Sequence, residues 1–313
     1  MESWKTHNRL LVFLILILAL TCVLSPWLAV GADWVGAVWP MVLTERISFS
    51  RIFNRAFMIS GIILFVLCRR YLISRQLKQI IAVRPGDGCR DLFIGLGLAL
   101  VSMAALVALM SATGVFTPYF RIAFADALER VGSATAAGIF AGTLEELFFR
   151  GILFKGLHDE GQCLRAYLLA NLFYSALHFV KPGEPYFLDG LDPLAGFRHL
   201  LTTFTPFLNP VPLLAGMFGL FLLGVVLSFA LVRTGNLYLA IGLHAGWVFS
   251  LKTIRVFGDF TREHLGWAFG STDPKIASGV ATWIGISVVG FAVYYLTKHR
   301  SVRSNGRPLE GAA

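Results

Sequence analysis

The sequence predicts an all-α, polytopic membrane protein with about eight transmembrane helices. Three observations carry this. First, the apolar fraction is 56%, only 14% of residues are charged, and 27 of the 313 residues are Phe. Soluble domains sit near about 45–50% apolar and about 25% charged. Second, apolar runs of spanning length recur along the chain. Third, the basic residues behind the net charge of +9 crowd into short segments beside those runs. That is the pattern of topology determinants and not of a nucleic-acid surface, so no nucleic-acid partner is expected.

By length and apolarity the spans are Leu10–Ala29, Ala56–Cys68, Leu92–Met110, Val131–Phe154, Ala166–Phe179, Val211–Val232, Leu237–Val256 and Ala277–Leu296. The first follows Lys5 and Arg9, as a signal peptide would, and Val30-Gly31-Ala32 would pass as a cleavage site. Its apolar run is long for a signal, so an uncleaved span is the favoured reading. The second is short and could start earlier, and Trp39–Val42 could dip into the interface. The fourth, fifth and seventh spans carry polar residues, taken up below.

Arg69, Arg70, Arg75, Lys78, Arg84 and Arg90 crowd the connection between spans two and three. Lys298, Arg300, Arg303 and Arg307 crowd the tail. With an even number of spans, both clusters and both termini fall in the cytoplasm, with the chain in the cell (inner) membrane. The first external loop, with Arg46, Arg51 and Arg55, fits that orientation less well.

Cys22, Cys68, Cys89 and Cys163 show no CxxC spacing and suggest neither a disulfide framework nor a thiolate metal site. No internal repeat marks a second domain. The chain divides by content into residues 1–130 (N-terminal spans and basic loop), 131–260 (the core with the chemistry) and 261–313 (last span and basic tail). Lys181–Asn209, rich in Pro, Gly and aromatics, is either a lid or platform beside a membrane site or a plain connector.

Inside the fourth span lies Ala141-Gly142-Thr143-Leu144-Glu145-Glu146-Leu147-Phe148-Phe149-Arg150-Gly151. An ionisable group at membrane depth costs roughly 2.5–3.5 kcal/mol on insertion scales, so two acids and an arginine there need a reason. Glu146 and Arg150 are spaced i,i+4 with the acid first, the better order for a helical ion pair. Glu145 lies about 100° round the helix, away from that arginine. It sits beside Ala141 and Gly142, where small side chains leave room for water or a peptide. In span five, Asn171, Tyr174, Ser175 and His178 share one face, which must meet protein or water and not lipid. In span seven, Gly242-Leu243-His244-Ala245-Gly246 sets a histidine among small residues that let a helix or a substrate backbone approach. Each histidine alone reads as a hydrogen-bonded core residue. With Glu145 on a third span, the two imidazoles make a metal-and-water or acid–base set.

Glu145-Glu146-x-x-x-Arg150, an aromatic four residues before His178, and His244 on a later span resemble the CPBP intramembrane peptidases. These are relatives of the CAAX prenyl endopeptidase and of the bacteriocin-processing or immunity (Abi) proteins. The resemblance covers about Phe140–Ser250. It implies an endopeptidase cutting a membrane protein or peptide, in which Glu145 activates water and His178 and His244 organise the site. Glu146, Arg150, Tyr174 and Asn171 would support them. Glu145, His178 and His244 would also supply three ligands and an open water position, the count of a catalytic zinc site, so one divalent metal (zinc) would fit as a cofactor. Two positions depart from the family pattern: Tyr174 stands for the usual Phe, and Val248 for the usual Asn or other polar residue. Valine neither binds metal nor stabilises an oxyanion, so Tyr174 or Asn171 takes that role, the site is altered, or the chain is not a peptidase.

No HExxH is present, and His158-Asp159-Glu160 reads as a solvated loop. Two other classes remain. One is a non-catalytic immunity or scaffold protein that keeps the polar cluster as glue, which Val248 favours. The other is a proton-coupled transporter, against which the lack of repeat symmetry counts.

Overall fold

In the computed structural model the described residues are 6–39, 46–72, 75–180, 186–261, 265–270 and 276–300. Lys5, Pro40–Val42, Pro182, Pro185, Arg303 and Arg307 lie outside them. The helices are α1 (Thr6–Val38), α2 (Phe49–Leu72), α3 (Arg75–Ile81), α4 (Pro85–Ala112), α5 (Phe124–Glu146), α6 (Lys155–Asp159), α7 (Cys163–Arg165), α8 (Asn171–Leu177), α9 (Ala195–Thr202), α10 (Val211–Thr234), α11 (Tyr238–Thr253), α12 (Gly266–Phe269) and α13 (Val280–Thr297). Two π-helical stretches interrupt them, Leu147–Phe154 after α5 and Ala166–Ala170 before α8. A short antiparallel ribbon pairs β1 (Phe116–Pro118) with β2 (Gly258–Phe260), Phe116 opposite Phe260.

The protein is an all-α membrane protein. Among the described residues five helices are long and apolar enough to cross a membrane: Leu11–Val38, Phe49–Cys68, Pro85–Ala112, Val211–Thr234 and Val280–Thr297. Side chains such as Leu67, Phe93, Val101 and Phe291 are two-thirds or more exposed along them, as lipid-facing residues would be. The three other expected spans also fall on helices, but length and composition do not make them crossings. α5 carries Asp126, Glu129, Arg130, Glu145 and Glu146, Cys163–Leu177 is a shorter apolar helix, and α11 has 16 residues. The second span starts at Phe49 and not Ala56. His158 and Asp159 are helical, not in a loop, with Asp159 paired i,i+4 to Lys155 at 2.6 Å.

The chain forms two compact units, Met1–Ser74 with Ala176–Leu213, and Arg75–Ser175 with Leu214–Ala313. In the first, α1 packs on α2 and α9 around Cys22, Ala29, Phe49, Phe53 and Ala195. Gly196 lets α9 approach closely: a Cβ there would fall 2.1 Å from the Cys22 carbonyl oxygen. Eight residues of the expected Lys181–Asn209 loop, Ala195–Thr202, are therefore a packed helix. Its His199 is buried against the rings of Phe49, Phe53 and Tyr186, and neither ring nitrogen has a hydrogen-bond partner among the described residues.

Burial lowers the His199 pKa from its ordinary value of 6.5. The unfolded chain thus takes up this proton at a higher pH than the folded one, and the native state loses stability as pH falls below about 6.5. His199→Phe, which fills the aromatic box with an uncharged ring, should flatten that loss. Melting curves between pH 5 and 8 that run parallel for the two proteins would contradict it.

In the second unit, α11 is clasped between α4 and α5. α4 starts with Pro85 in its first turn, where a missing N–H costs nothing. It ends at Gly114 (φ 70°), where Val115 N–H bonds Met110 O and Gly114 N–H bonds Ser111 O, a left-handed glycine cap. Backbone contact sets the packing. A Cβ on Gly242 would meet Leu92 O at 2.1 Å, one on Gly95 would meet Leu239 O at 2.3 Å, and one on Gly138 would meet Ala245 O at 2.7 Å. Glycine at these places brings the helices close enough for short side chains on α11 to reach α5.

Candidate active site

The acids end α5, and the π-helical stretch that follows holds Arg150. Such stretches are common at functional sites because the extra residue redirects side chains. Arg150 Nη1 donates to Glu146 Oε1 at 3.0 Å, and both side chains are fully buried. This is the pair that the i,i+4 spacing predicts. Arg150 Nη2 also donates to Gly224 O on α10 at 3.3 Å, and the guanidinium lies 4.3 Å from the centre of the Tyr174 ring.

α11 adds His244, 4% exposed, at the point where Gly142 meets Ala245. The room expected beside Gly142 is filled by that helix: a Cβ there would come 3.0 Å from Ala245 N. His244 Nδ1 sits 2.7 Å from Glu146 Oε1, the oxygen that also accepts from Arg150. A carboxylate only accepts, so Nδ1 carries the proton in this contact and Nε2 is left as the working nitrogen. Nε2 faces Glu145 Oε2 at 3.8 Å. Glu145 is 34% exposed against zero for Glu146, so the adjacent acids occupy different environments. The buried one fixes an arginine and an imidazole. The other faces the free imidazole nitrogen across a gap that one bridging oxygen can span.

Asn171 is buried and committed to structure. Its Nδ2 donates to Tyr167 O at 2.8 Å, and its Oδ1 accepts from Ser228 Oγ on α10 at 3.1 Å. Tyr174, also buried, presents its ring edge-on to His244 at 6.2 Å as well as carrying Arg150. Ser175 Oγ donates to Met217 O at 2.6 Å. His178 lies in the turn after α8, exposed, and belongs to the first unit. Among the described residues no group of three or more His, Cys, Asp or Glu is arranged to hold a metal ion. Within the second unit the two available donors, Glu145 and His244 Nε2, fall short of the three a catalytic zinc site takes.

Gly224 and Ser228 escaped the sequence reading, since a glycine and a serine in an apolar helix carry no mark of their partners. A Cβ on Gly224 would lie 2.8 Å from Asn171 Oδ1 and 3.2 Å from Arg150 Nη2. Because both neighbours are already bonded, Gly224→Ala should cost about 1–3 kcal/mol, the usual range for overpacking. Gly31→Ala, with nothing within 4 Å, is the control. Equal melting temperatures for the two variants would contradict this account of the Arg150 cradle.

An all-α membrane protein holding a buried acid–arginine–imidazole cluster beside a part-exposed acid has the makings of a membrane-embedded hydrolase. Residues 127–250, which hold the whole cluster, match the family model of type II CAAX prenyl endopeptidases, Rce1-like. The segment is similar to that family, in line with the resemblance to CPBP intramembrane peptidases, and the similarity points to a protease. No curated protein matches the chain, and no solved structure does.

Proposed function

We propose that the protein is an intramembrane endopeptidase that hydrolyses peptide bonds of a membrane-associated protein or peptide with water activated by Glu145. The observation that carries this is His244, held by Glu146 through Nδ1 with Nε2 turned to Glu145. A water between Glu145 and Nε2 gives one proton to the carboxylate and a hydrogen bond to the imidazole. Its oxygen attacks the carbonyl carbon, and the carbonyl π electrons move to oxygen. On collapse the C–N bond breaks, and the proton held by Glu145 passes to the leaving nitrogen. Arg150 positions Glu146, and Tyr174 and Asn171 fix Arg150 and the helix that bears them. His178 and a divalent ion belong to the metal-dependent version of this reading, in which Glu145, His178 and His244 would be the ligands.

The test is cleavage of membrane-associated peptides by the purified protein in proteoliposomes, with and without a chelator. Cleavage that survives chelation and is lost in Glu145→Gln supports the glutamate–imidazole form. Loss on chelation with recovery on adding zinc supports the metal form. No cleavage by a folded protein favours the non-catalytic scaffold that Val248 keeps in play, and a proton flux without cleavage favours the transporter.

The proposed orientation places both termini in the cytoplasm, on the basic clusters at residues 69–90 and 298–307. Reporter fusions at each terminus should score as cytoplasmic, and an external score at either would overturn the topology.

A further inference from the structure

At one end of the second unit a cavity of about 780 Å³ opens beside the starts and ends of three apolar helices. It is bounded by the first turns of α4, the last turn of α10, α6, and Arg300 just past the end of α13. α4, α10 and α13 are long and apolar enough to cross a membrane, so the cavity lies where those spans finish, at headgroup depth.

Its charges do not cancel. Five cationic side chains face three acids. Asp159 is matched by Lys155 at 2.6 Å. Asp91, only 1% exposed, accepts both Nη atoms of Arg300 at 2.7 and 2.9 Å and Asn236 Nδ2 at 2.8 Å. Asp87 and Arg90 are 3.6 Å apart. That leaves Arg84 and Arg233. Arg233 spends its donors on neutral groups, Thr297 Oγ1 at 3.1 Å and Thr297 O at 2.8 Å, which orient it without neutralising it. The exposed Arg84 side chain has no hydrogen bond or ion pair among the described residues. Arg84 also stands at the N-terminus of a 28-residue helix, whose dipole adds partial positive charge.

We propose that this cavity binds a phosphate monoester or diester anion, and that its source is the headgroup of an anionic lipid. The two uncompensated arginines supply the charge, and the cavity has room for a phosphate with its glycerol. A basic recess between span ends is where such headgroups dock, and free phosphate in the aqueous phase would offer the same chemistry. This inference concerns groups apart from the Glu145–His244 pair and stands whether or not the chain is a peptidase.

The test uses the full chain in nanodiscs of phosphatidylcholine alone, of phosphatidylcholine with phosphatidylglycerol, and of phosphatidylcholine with inorganic phosphate added. Thermal unfolding is read for the natural protein, Arg84→Gln and Arg84→Glu. The expected result is a melting temperature about 5 °C higher with phosphatidylglycerol. That rise should be roughly halved in R84Q, absent in R84E and smaller at high salt, while all three proteins melt alike in phosphatidylcholine. A rise with inorganic phosphate, lost in R84E, would keep the site and reassign its source. No rise in either arm, or a rise undiminished in R84E, would overturn the proposal, because attraction to the remaining basic loops would then account for it.

Discussion

Glu145→Gln is expected to lose at least about 10²–10⁴-fold in cleavage rate, the usual worth of a positioned general base. The protein should melt where the natural one does. Glutamine keeps the size and the polar contacts of Glu145 but takes no proton from water. Glu145 is one-third exposed and is not the acid bonded to Arg150, so losing its charge leaves the buried Glu146–Arg150 pair in place. A rate within threefold of the natural protein would assign the chemistry elsewhere. A large drop in melting temperature would show that Glu145, too, is structural.

The second large effect lies one residue on and has the opposite signature. Glu146→Gln removes the charge facing both the Arg150 guanidinium and His244 Nδ1 inside a fully buried site. Breaking a buried pair by removing one partner costs roughly 3–5 kcal/mol, mainly because the other charge is left uncompensated. Stability should therefore fall first. Replacing Glu146 and Arg150 together with Leu and Met should restore part of it, since the stranded charge is gone. Activity should not return with it, because His244 will have lost the acceptor that sets its tautomer and orientation. A thermal-shift series on the three variants beside the cleavage assay separates the two effects. Recovery of activity in the double variant would show that the tie between Glu146 and His244 does nothing for catalysis.

The helices and the Glu146–Arg150 pair were readable because each depends on local spacing. Apolar runs place spans, and i,i+4 places a pair on one helix. The partnership of Glu146 with His244 was not readable, since the residues are 98 positions apart and meet only because Gly138, Gly142 and Gly242 let three helices touch along their backbones. Read as spacing, Gly138-x-x-x-Gly142 and Gly242-x-x-x-Gly246 were the available signal. The π-helical stretches leave no trace in an apolar pattern, because a one-residue widening of the turn keeps the same residues buried. The face shared by Asn171, Tyr174, Ser175 and His178 breaks for a similar reason: α8 ends at Leu177, so His178 leaves the helix axis its neighbours obey. His199 passed unnoticed because a lone histidine in a Pro-rich connector does not announce an aromatic box.

The measurement closest to the central claim is mass spectrometry of new peptide C-termini. The natural protein, Glu145→Gln and His244→Ala would be reconstituted at equal amounts with the same pool of membrane-associated peptides. The account predicts discrete cleavage products from the natural protein, none from Glu145→Gln above the level of empty vesicles, and strongly reduced yield from His244→Ala, with all three proteins folded. The same products at the same rate from Glu145→Gln would contradict it.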